Sequence, residues 1–426
     1  MEAILLFSTL IVLIALSVPI GITLGLSTLI CIAFTSDIPL MMLAQKSVTG
    51  LDSFPLLAIP FFILAGALMC NGGISRRLVN LAESLVGFIT GGLAMVTVLA
   101  CMFFAAISGS GPATVSAIGS FMIPSMKDRK YHGDFAAAIT AAAGTIGVII
   151  PPSIPFVIYC IVAQTSIGDL FIAGIVPGII IGIALMLVCY LTAKKRRYLS
   201  STEPPTFRAV LKALREAIWA LIIPIIILGG IYGGVFTPTE AAVVAVVYSI
   251  LIGKFVYKEL DFKTLYECLR TTGLINGATE FMIGLSMAFA SYLTMAQIPA
   301  HIGTWLREFS SNPVIILMFI NVFLLILGCF VDNIAAVIIL TPILLPVVKS
   351  IGVDPIHFGL IITVNLACGF ISPPYGINLF VASAISGESI EKISVAIIPS
   401  FIAMIACLLL FTYFPSFSLG LLHLLR

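Results

Sequence analysis

The sequence predicts an all-α integral membrane protein, a polytopic bundle of helices in two inverted repeats, each with a re-entrant hairpin and a broken helix. The 426 residues are 60% hydrophobic and only 9% charged, whereas a soluble domain carries about a quarter charged residues. Apolar stretches long enough to cross a bilayer as helices recur along the whole chain. In addition, the two halves of the chain match at one constant offset in residue number.

The basic residues predict the orientation of the bundle. With a cytoplasmic N-terminus, all 21 Lys and Arg residues fall on the inner face except Lys46, Arg307, Lys349 and Arg426. Short loops biased in this way set the orientation of membrane proteins. The basic run at 194–197 directly follows a span and is therefore interpreted as a stop signal. Neither this run nor the net charge of +2 indicates a nucleic-acid partner.

The chain divides into two repeats joined by a polar linker. The first repeat covers 1–192 and the second 218–426, with a cytoplasmic linker at 193–217. Each repeat contains an apolar segment broken near its middle, at 91–126 in the first and 313–349 in the second. In the first hairpin, the break leaves arms of about 12–16 residues, too short to cross a membrane. We therefore expect two re-entrant hairpins, the first open to the cytoplasm and the second to the outside.

Helix-breaking residues repeat at a constant spacing. Gly147 and Gly369 lie 222 residues apart, as do four pairs of prolines, Pro124 and Pro346, Pro151 and Pro373, Pro152 and Pro374, and Pro177 and Pro399. At ordinary proline usage, about 0.3 coincidences among the six prolines between residues 112 and 177 would arise by chance. Because the matched hairpins open to opposite sides, the repeats are inverted, which is typical of secondary transporters.

The breaks converge at one predicted depth and indicate where a binding site lies. Broken helices free backbone carbonyls and point helix N-termini into a cavity. Carbonyl and hydroxyl oxygens suit a hard cation such as Na⁺, and the N–H ends suit a carboxylate. The candidate residues are Ser108, Ser110, Thr114, Thr145 and Ser153 in the first half and Asp332, Asn333, Ser372 and Asn378 in the second.

Asp332 is the candidate with the most specific chemistry. It equates with Ser110 at the offset of 222 and lies at the tip of the second hairpin. An acid inside the bilayer costs a few kcal/mol unless it is paired, hydrated or bound to a cation. Asp332 is therefore either a coupling group or gate at the cavity, or the N-cap of the helix that begins at Asn333. Both interpretations remain open. Small residues such as Ser108 and Ser110 are also common packing positions in membrane helices.

Three strings resemble a known transporter family. They are Gly147-Val-Ile-Ile-Pro-Pro-Ser153, Gly234-Val-Phe-Thr-Pro-Thr-Glu-Ala-Ala242 and Ser108-Gly-Ser-Gly-Pro-Ala-Thr114. Together they resemble the large membrane subunit of tripartite ATP-independent periplasmic (TRAP) transporters, and within that family the sialic-acid members. The similarity covers essentially the whole chain.

The resemblance implies Na⁺-coupled uptake of a small organic acid, either sialic acid (N-acetylneuraminate) or a C4-dicarboxylate, across the bacterial inner membrane. It implies about two or more Na⁺ sites, elevator movement of the hairpin domain, and no organic cofactor. A small four-helix membrane subunit, absent from this chain, and a periplasmic substrate-binding protein are the expected partners besides the lipid bilayer. Carried over to this sequence, the Na⁺ and substrate regions fall on Ser108, Ser110, Gly147, Pro151, Asp332 and Gly369.

Three other functions are alternatives to such a transport subunit. The nearest is a stand-alone Na⁺- or H⁺-coupled carboxylate or anion carrier that needs no binding protein. An intramembrane serine protease is disfavoured because no His is predicted at membrane depth to act as a base, since all four His residues are expected at loops or interfaces. A channel has no evident need for paired, inverted breaks. The chain is accordingly predicted not to be an enzyme.

Overall fold

The computed structural model describes residues 2–35, 38–198, 205–309, 312–373 and 376–425. The structure is 83% helical, and the described residues contain no β-strand. The predicted all-α membrane class is therefore confirmed. The helices, in chain order, are α1 Glu2–Ala15, α2 Ile20–Thr35, α3 Met41–Thr49, α4 Ala58–Asn71, α5 Ile74–Val86, α6 Gly92–Ser108, α7 Gly111–Asp128, α8 Gly133–Gly144, α9 Ile154–Ala163, α10 Ile167–Arg196, α11 Phe207–Tyr232, α12 Pro238–Leu251, α13 Phe262–Met295, α14 Ile298–Phe309, α15 Pro313–Gly328, α16 Asn333–Ser350, α17 Pro355–Gly369, α18 Ile377–Ser386, α19 Ile390–Ala396, α20 Ile398–Tyr413 and α21 Ser416–Leu425.

The predicted breaks are present in the described residues. The first long apolar stretch bends between α1 and α2, next to Pro19. The first hairpin breaks between Ser108 and Gly111, and the second between Gly328 and Asn333. A 3₁₀ turn, Thr145–Val148, separates α8 from α9 ahead of the Pro-Pro pair. In the matching break between α17 and α18, Pro374 and Tyr375 lie outside the described residues.

Among the described residues, six helices are long and apolar enough to cross a membrane, or seven if the bent pair α19 and α20 forms one span. The arms of the first hairpin are longer than predicted, with 17 residues in α6 and 18 in α7. One arm of the second hairpin, α16, itself meets the length and composition of a span. Arm length therefore does not decide that the hairpins are re-entrant, and that assignment stays a prediction.

The helices also extend into the predicted linker. Helix α10 continues to Arg196 and α11 already begins at Phe207, so much of 193–217 is helical, because Lys and Arg continue a helix beyond its apolar segment without loss of propensity. Glu203 and Pro204 lie outside the described residues. Two short helices, α3 and α21, were not predicted.

The two halves repeat each other in element order and spacing. Helices α7 (111–128) and α16 (333–350) begin and end 222 residues apart, and α8 and α17 also begin 222 residues apart. An amphipathic helix precedes each hairpin. Helix α5 packs between α11 and α6, and α14 packs between α13 and α16. The repeat is therefore present in the helices themselves, while its inversion across the membrane stays a prediction.

The second piece of each broken helix packs against the hairpin of the other half. Helix α9 contacts α16 and α17, and α18 contacts α7 and α8. Of the residues of α16, 72% are buried inside the protein. This exchange between the halves brings the two hairpin tips to a common place in the core.

Candidate functional site

A cavity of about 160 Å³ lies between the two hairpin tips. Three helices begin at its wall, α7 at Gly111, α9 at Ile154 and α16 at Asn333. Helix N-termini carry unpaired N–H groups and a partial positive charge, so they favour anions. The full lining is Gly109, Ser110, Gly111, Pro112, Val148, Ile154, Pro155, Asp332, Asn333, Ile334 and Phe370.

The first tip is held by a short hydrogen-bonded network. The hydroxyls of Ser108 and Thr114 lie 2.9 Å apart, and Thr114 Oγ1 donates to Ser110 O at 2.8 Å. Both side chains are buried. Three oxygen atoms, two hydroxyl and one carbonyl, are thus gathered within one turn of the break.

Gly147 brings the 3₁₀ turn directly against this tip. A Cβ on Gly147 would lie 2.5 Å from Thr114 Oγ1 and 2.6 Å from Ser110 O, closer than real Cβ atoms approach. Only glycine leaves room for so close a contact. The break between α8 and α9, next to Pro151, therefore docks on the oxygen atoms of the first tip. A second contact, from Ile154 N to Gly109 O at 3.2 Å, holds the start of α9 there.

Two predicted residues use their hydroxyls locally. Ser153 Oγ donates to Val148 O at 2.7 Å and caps α9 by accepting from Phe156 N at 3.3 Å. Thr145 Oγ1 donates to Ala142 O at 2.7 Å and lies 3.3 Å from Met404 Sδ. Both side chains are fully buried and neither lines the cavity.

At the second tip, Asp332 caps α16. Its Oδ2 accepts from Ile334 N at 3.0 Å, and the residue is exposed to the cavity. It also lines a larger apolar cavity of about 480 Å³, whose wall includes Gly328, Phe330 and Phe370. Asp332 therefore faces both spaces while capping the helix, so the two interpretations of this residue are compatible.

Two buried amides lie near the tips with unused hydrogen-bonding atoms. Among the described residues, neither side-chain polar atom of Asn333 has a partner. Asn378 Nδ2 donates to Ala141 O at 3.0 Å, whereas its Oδ1 has no described partner and lies 3.3 Å from where a Cβ on Gly111 would stand. Asn378 thus joins α18 of the second half to the first tip.

The remaining candidates lie beside the second tip. A Cβ on Gly369 would overlap the carbonyl oxygen of Gly328, so α15 and α17 meet in direct backbone contact there. Ser372 Oγ lies 3.0 Å from Cys329 Sγ in the same region. Of the predicted residues, Ser110, Asp332 and Asn333 line the cavity between the tips, and Gly369 lines the apolar one.

A buried polar chain was not predicted. Asn365 Nδ2 donates to Asn321 Oδ1 at 3.0 Å, and Asn321 Nδ2 donates to Thr412 Oγ1 at 3.0 Å. His357, expected at a loop or interface, is in fact 3% exposed, with Nδ1 2.7 Å from Ser418 Oγ. The burial arises because α21, itself not predicted, covers the start of α17. The sequence did contain a signal for these contacts, because Asn321 and Asn365 are polar side chains within otherwise apolar helices and such residues usually have a polar partner.

Comparison with known proteins decides the family. The family model described as "Tripartite ATP-independent periplasmic transporter, DctM component" matches residues 7–417. The chain belongs to this family.

Solved transporters share the fold. YdaH of Alcanivorax borkumensis superposes with a TM-score of 0.69 at 15% identity, over 94% of this chain and 98% of that one. MtrF of Neisseria gonorrhoeae gives 0.59 at 10% identity, over 88% and 83%.

Relatives within the TRAP family carry several substrate names. The isethionate TRAP permease protein of Oleidesulfovibrio alaskensis is 48% identical over 94% of this chain, which spans only 63% of that protein. The C4-dicarboxylate large permease of Pseudomonas aeruginosa is 44% identical, over 94% of this chain and 93% of the relative. The sialic acid large permease of Vibrio cholerae is 39% identical over 94% of each. These relatives are transport permeases, which are not enzymes. The identities do not single out sialic acid.

Proposed function

We propose that this multi-pass membrane protein is the large permease of a TRAP transporter that takes up a small organic acid by secondary transport. The observation that carries the proposal is the cavity between the tips, where three helices begin and where Asp332 is exposed. Such N-termini suit an acid's anionic group. Broken helices that meet around a cavity are the usual setting for transport sites.

We infer that Na⁺ drives uptake. At the first tip, the oxygen atoms of Ser108, Ser110 and Thr114 lie within one turn of each other, against Gly147. At the second tip, the Asp332 carboxylate lies on the wall shared with Gly369. Carbonyl, hydroxyl and carboxylate oxygens are the ligands that transporters use for Na⁺. The arrangement supports at least one Na⁺ near each tip.

The substrate class follows from the cavity and the relatives. The names of the relatives include isethionate, C4-dicarboxylates and sialic acid, all organic acids. The transporter would work in the bacterial inner membrane with a small four-helix subunit and a periplasmic binding protein. Substrate translocation would follow an elevator movement of the two hairpins and broken helices against the surrounding helices.

Reconstituted uptake tests the proposal. The chain, its small subunit and its binding protein are placed in proteoliposomes with labelled isethionate, succinate or sialic acid, and with Na⁺ or choline outside. We expect uptake of one acid that requires Na⁺ and rises with more than one ion bound. Full uptake in choline with only a proton gradient would refute Na⁺ coupling. Absence of uptake of every organic acid by folded, assembled protein would refute the function.

The alternative is a stand-alone Na⁺- or H⁺-coupled carrier of a carboxylate or other anion that needs no binding protein. Omitting the binding protein separates the two functions. We expect uptake to stop without it, whereas undiminished uptake by the membrane subunits alone would identify a stand-alone carrier.

A further inference from the structure

A third cavity, of about 200 Å³, lies between the amphipathic helix α5 and hairpin helix α7, at the end of α7 away from the first tip. Its wall includes Arg76, Asn80 and Glu83, spaced along one face of α5, and Phe121, Ser125 and Arg129 from α7 and its C-terminal end. Positions three and four apart on a helix face the same side. The groove therefore runs along both helices, on the predicted cytoplasmic face.

The two arginines of the groove differ in their partners. Arg129 Nη2 lies 3.4 Å from Glu83 Oε1, so these two side chains form an ion pair within the groove. Arg76 is exposed and has no carboxylate within 4.0 Å among the described residues, and its guanidinium lies 5.7 Å from the centroid of Phe121. With two cations and one anion, the lining carries one excess positive charge.

The surroundings of Arg76 are apolar on one side and polar on the other. Phe121, which lies one turn before Ser125 on α7, is 39% exposed. On the polar side, Asn80 and Ser125 are exposed as well. In the predicted orientation, the groove lies at the cytoplasmic end of α7, which is the depth of the lipid phosphates.

We propose that this groove binds the headgroup of an anionic phospholipid, with Arg76 holding its phosphate. A phosphodiester carries one negative charge and matches the excess charge of the lining. A guanidinium is well suited to phosphate because its N–H groups bind two oxygen atoms at once. The exposed ring of Phe121 offers a contact for the first apolar part of the lipid, and basic pockets between helices on the cytoplasmic side are known to take such headgroups. The bound lipid stabilises the contact between α5 and the first hairpin.

Lipid binding to the full-length protein tests this inference independently of transport. The protein is purified in detergent and mixed with phosphatidylglycerol, phosphatidylcholine or free glycerol phosphate. Adducts are counted by native mass spectrometry, and the melting temperature is measured in parallel. We expect phosphatidylglycerol to bind and to raise the melting temperature, and phosphatidylcholine to do so much less.

Variants locate the site. Arg76→Gln should bind phosphatidylglycerol about fivefold more weakly, the share expected of one basic side chain near an anionic surface. Ser125→Glu places a negative charge in the groove and should weaken binding at least as much. Arg208→Gln, the same substitution at an exposed arginine of α11, should behave as wild type.

Three outcomes would overturn the proposal. Equal phosphatidylglycerol binding by wild type, Arg76→Gln and Ser125→Glu would place the lipid elsewhere. Equal binding of phosphatidylcholine would remove the role of net charge. An equal shift with glycerol phosphate alone would assign the groove to a free phosphate compound instead of a lipid.

Discussion

Asp332 combines two roles at the scale of a single residue. Its side chain caps α16, and it faces both cavities. The corresponding position in the first half is Ser110, so the repeat itself tolerates a neutral side chain at a tip. The charge of Asp332 is therefore separable from its capping role.

Asp332→Asn is expected to fold and to lose transport. Asn caps helices about as well as Asp. A charge-assisted contact to a cation is worth about 1.5–3 kcal/mol, so Na⁺-dependent uptake should fall about tenfold or more. Uptake, melting temperature and monodispersity are measured in reconstituted and purified protein.

Asp354→Asn is the matched control for this change. Asp354 caps α17 by accepting from Ile356 N at 2.7 Å and His357 N at 3.2 Å, and it lines neither tip cavity. It should retain uptake. Wild-type uptake by Asp332→Asn at low Na⁺ would leave Asp332 as a cap alone.

The buried polar residues of α17 give a second prediction at this scale. Asn365→Leu removes the donor to Asn321 Oδ1 and leaves a buried acceptor unpaired, which costs about 1–3 kcal/mol. Thr363→Val, two residues away, removes a buried hydroxyl that has no described partner and should be neutral or stabilising. Thermal unfolding in detergent compares them. A larger loss in Thr363→Val than in Asn365→Leu would contradict the network.

At the scale of the element, helix starts are set by short local signals. Ser153, Thr206, Thr237 and Asp261 each accept from a backbone N–H in the first turn of the helix that follows. Thr237 and Glu240 form a complete capping box at α12. These residue types and spacings are the usual helix N-terminus signals. These local contacts account for where the four helices begin.

The cap of α13 predicts a dependence on pH. Hydrogen bonds from the side chain and backbone of Thr264 lower the pKa of Asp261 in the folded protein. Because the folded pKa lies below the ordinary value of about 4, the stabilisation is complete above that value and is lost as the pH falls through the lowered pKa. Wild type should therefore melt above Asp261→Ala at neutral pH, and the difference should shrink in acid.

Asp261→Asn provides the control for this effect. It keeps a capping side chain without a titrating carboxyl, so its difference from Asp261→Ala should change little with pH. A wild-type advantage over Asp261→Ala that is constant from neutral pH to pH about 3 would show that the carboxylate does not contribute.

At the scale of the whole molecule, the predicted inversion of the two repeats implies opposite accessibility for the open ends of the two hairpins. Ser125 lies near the end of α7 and Ser350 ends α16, and both are exposed. In intact cells, a membrane-impermeant maleimide should label Ser350→Cys from outside and should label Ser125→Cys only after permeabilisation. The unsubstituted chain measures background from the nine native cysteines. Labelling of both positions from the same side would eliminate the inverted repeat.

The sequence by itself determined the membrane class, most helix positions and the breaks between them. It also determined the 222-residue repeat and the family resemblance. These follow from signals that act over a few residues, such as apolar length, proline, glycine and capping side chains. The same locality explains the errors. Helix α3 is too polar and α21 too short to be predicted from their apolar residues. Helices α10 and α11 continue into the linker because charged residues support a helix as well as apolar ones do.

Only the tertiary structure decided which breaks meet. Asn378 reaches Ala141 across 237 residues of chain, and α9 packs on the hairpin of the opposite half. It also decided that Thr145 and Ser153 turn away from the cavity while Ser110, Asp332 and Asn333 line it. The physical reason is that a local signal states where a helix starts or stops, whereas the neighbour of each broken end depends on how all the helices share one packed interior.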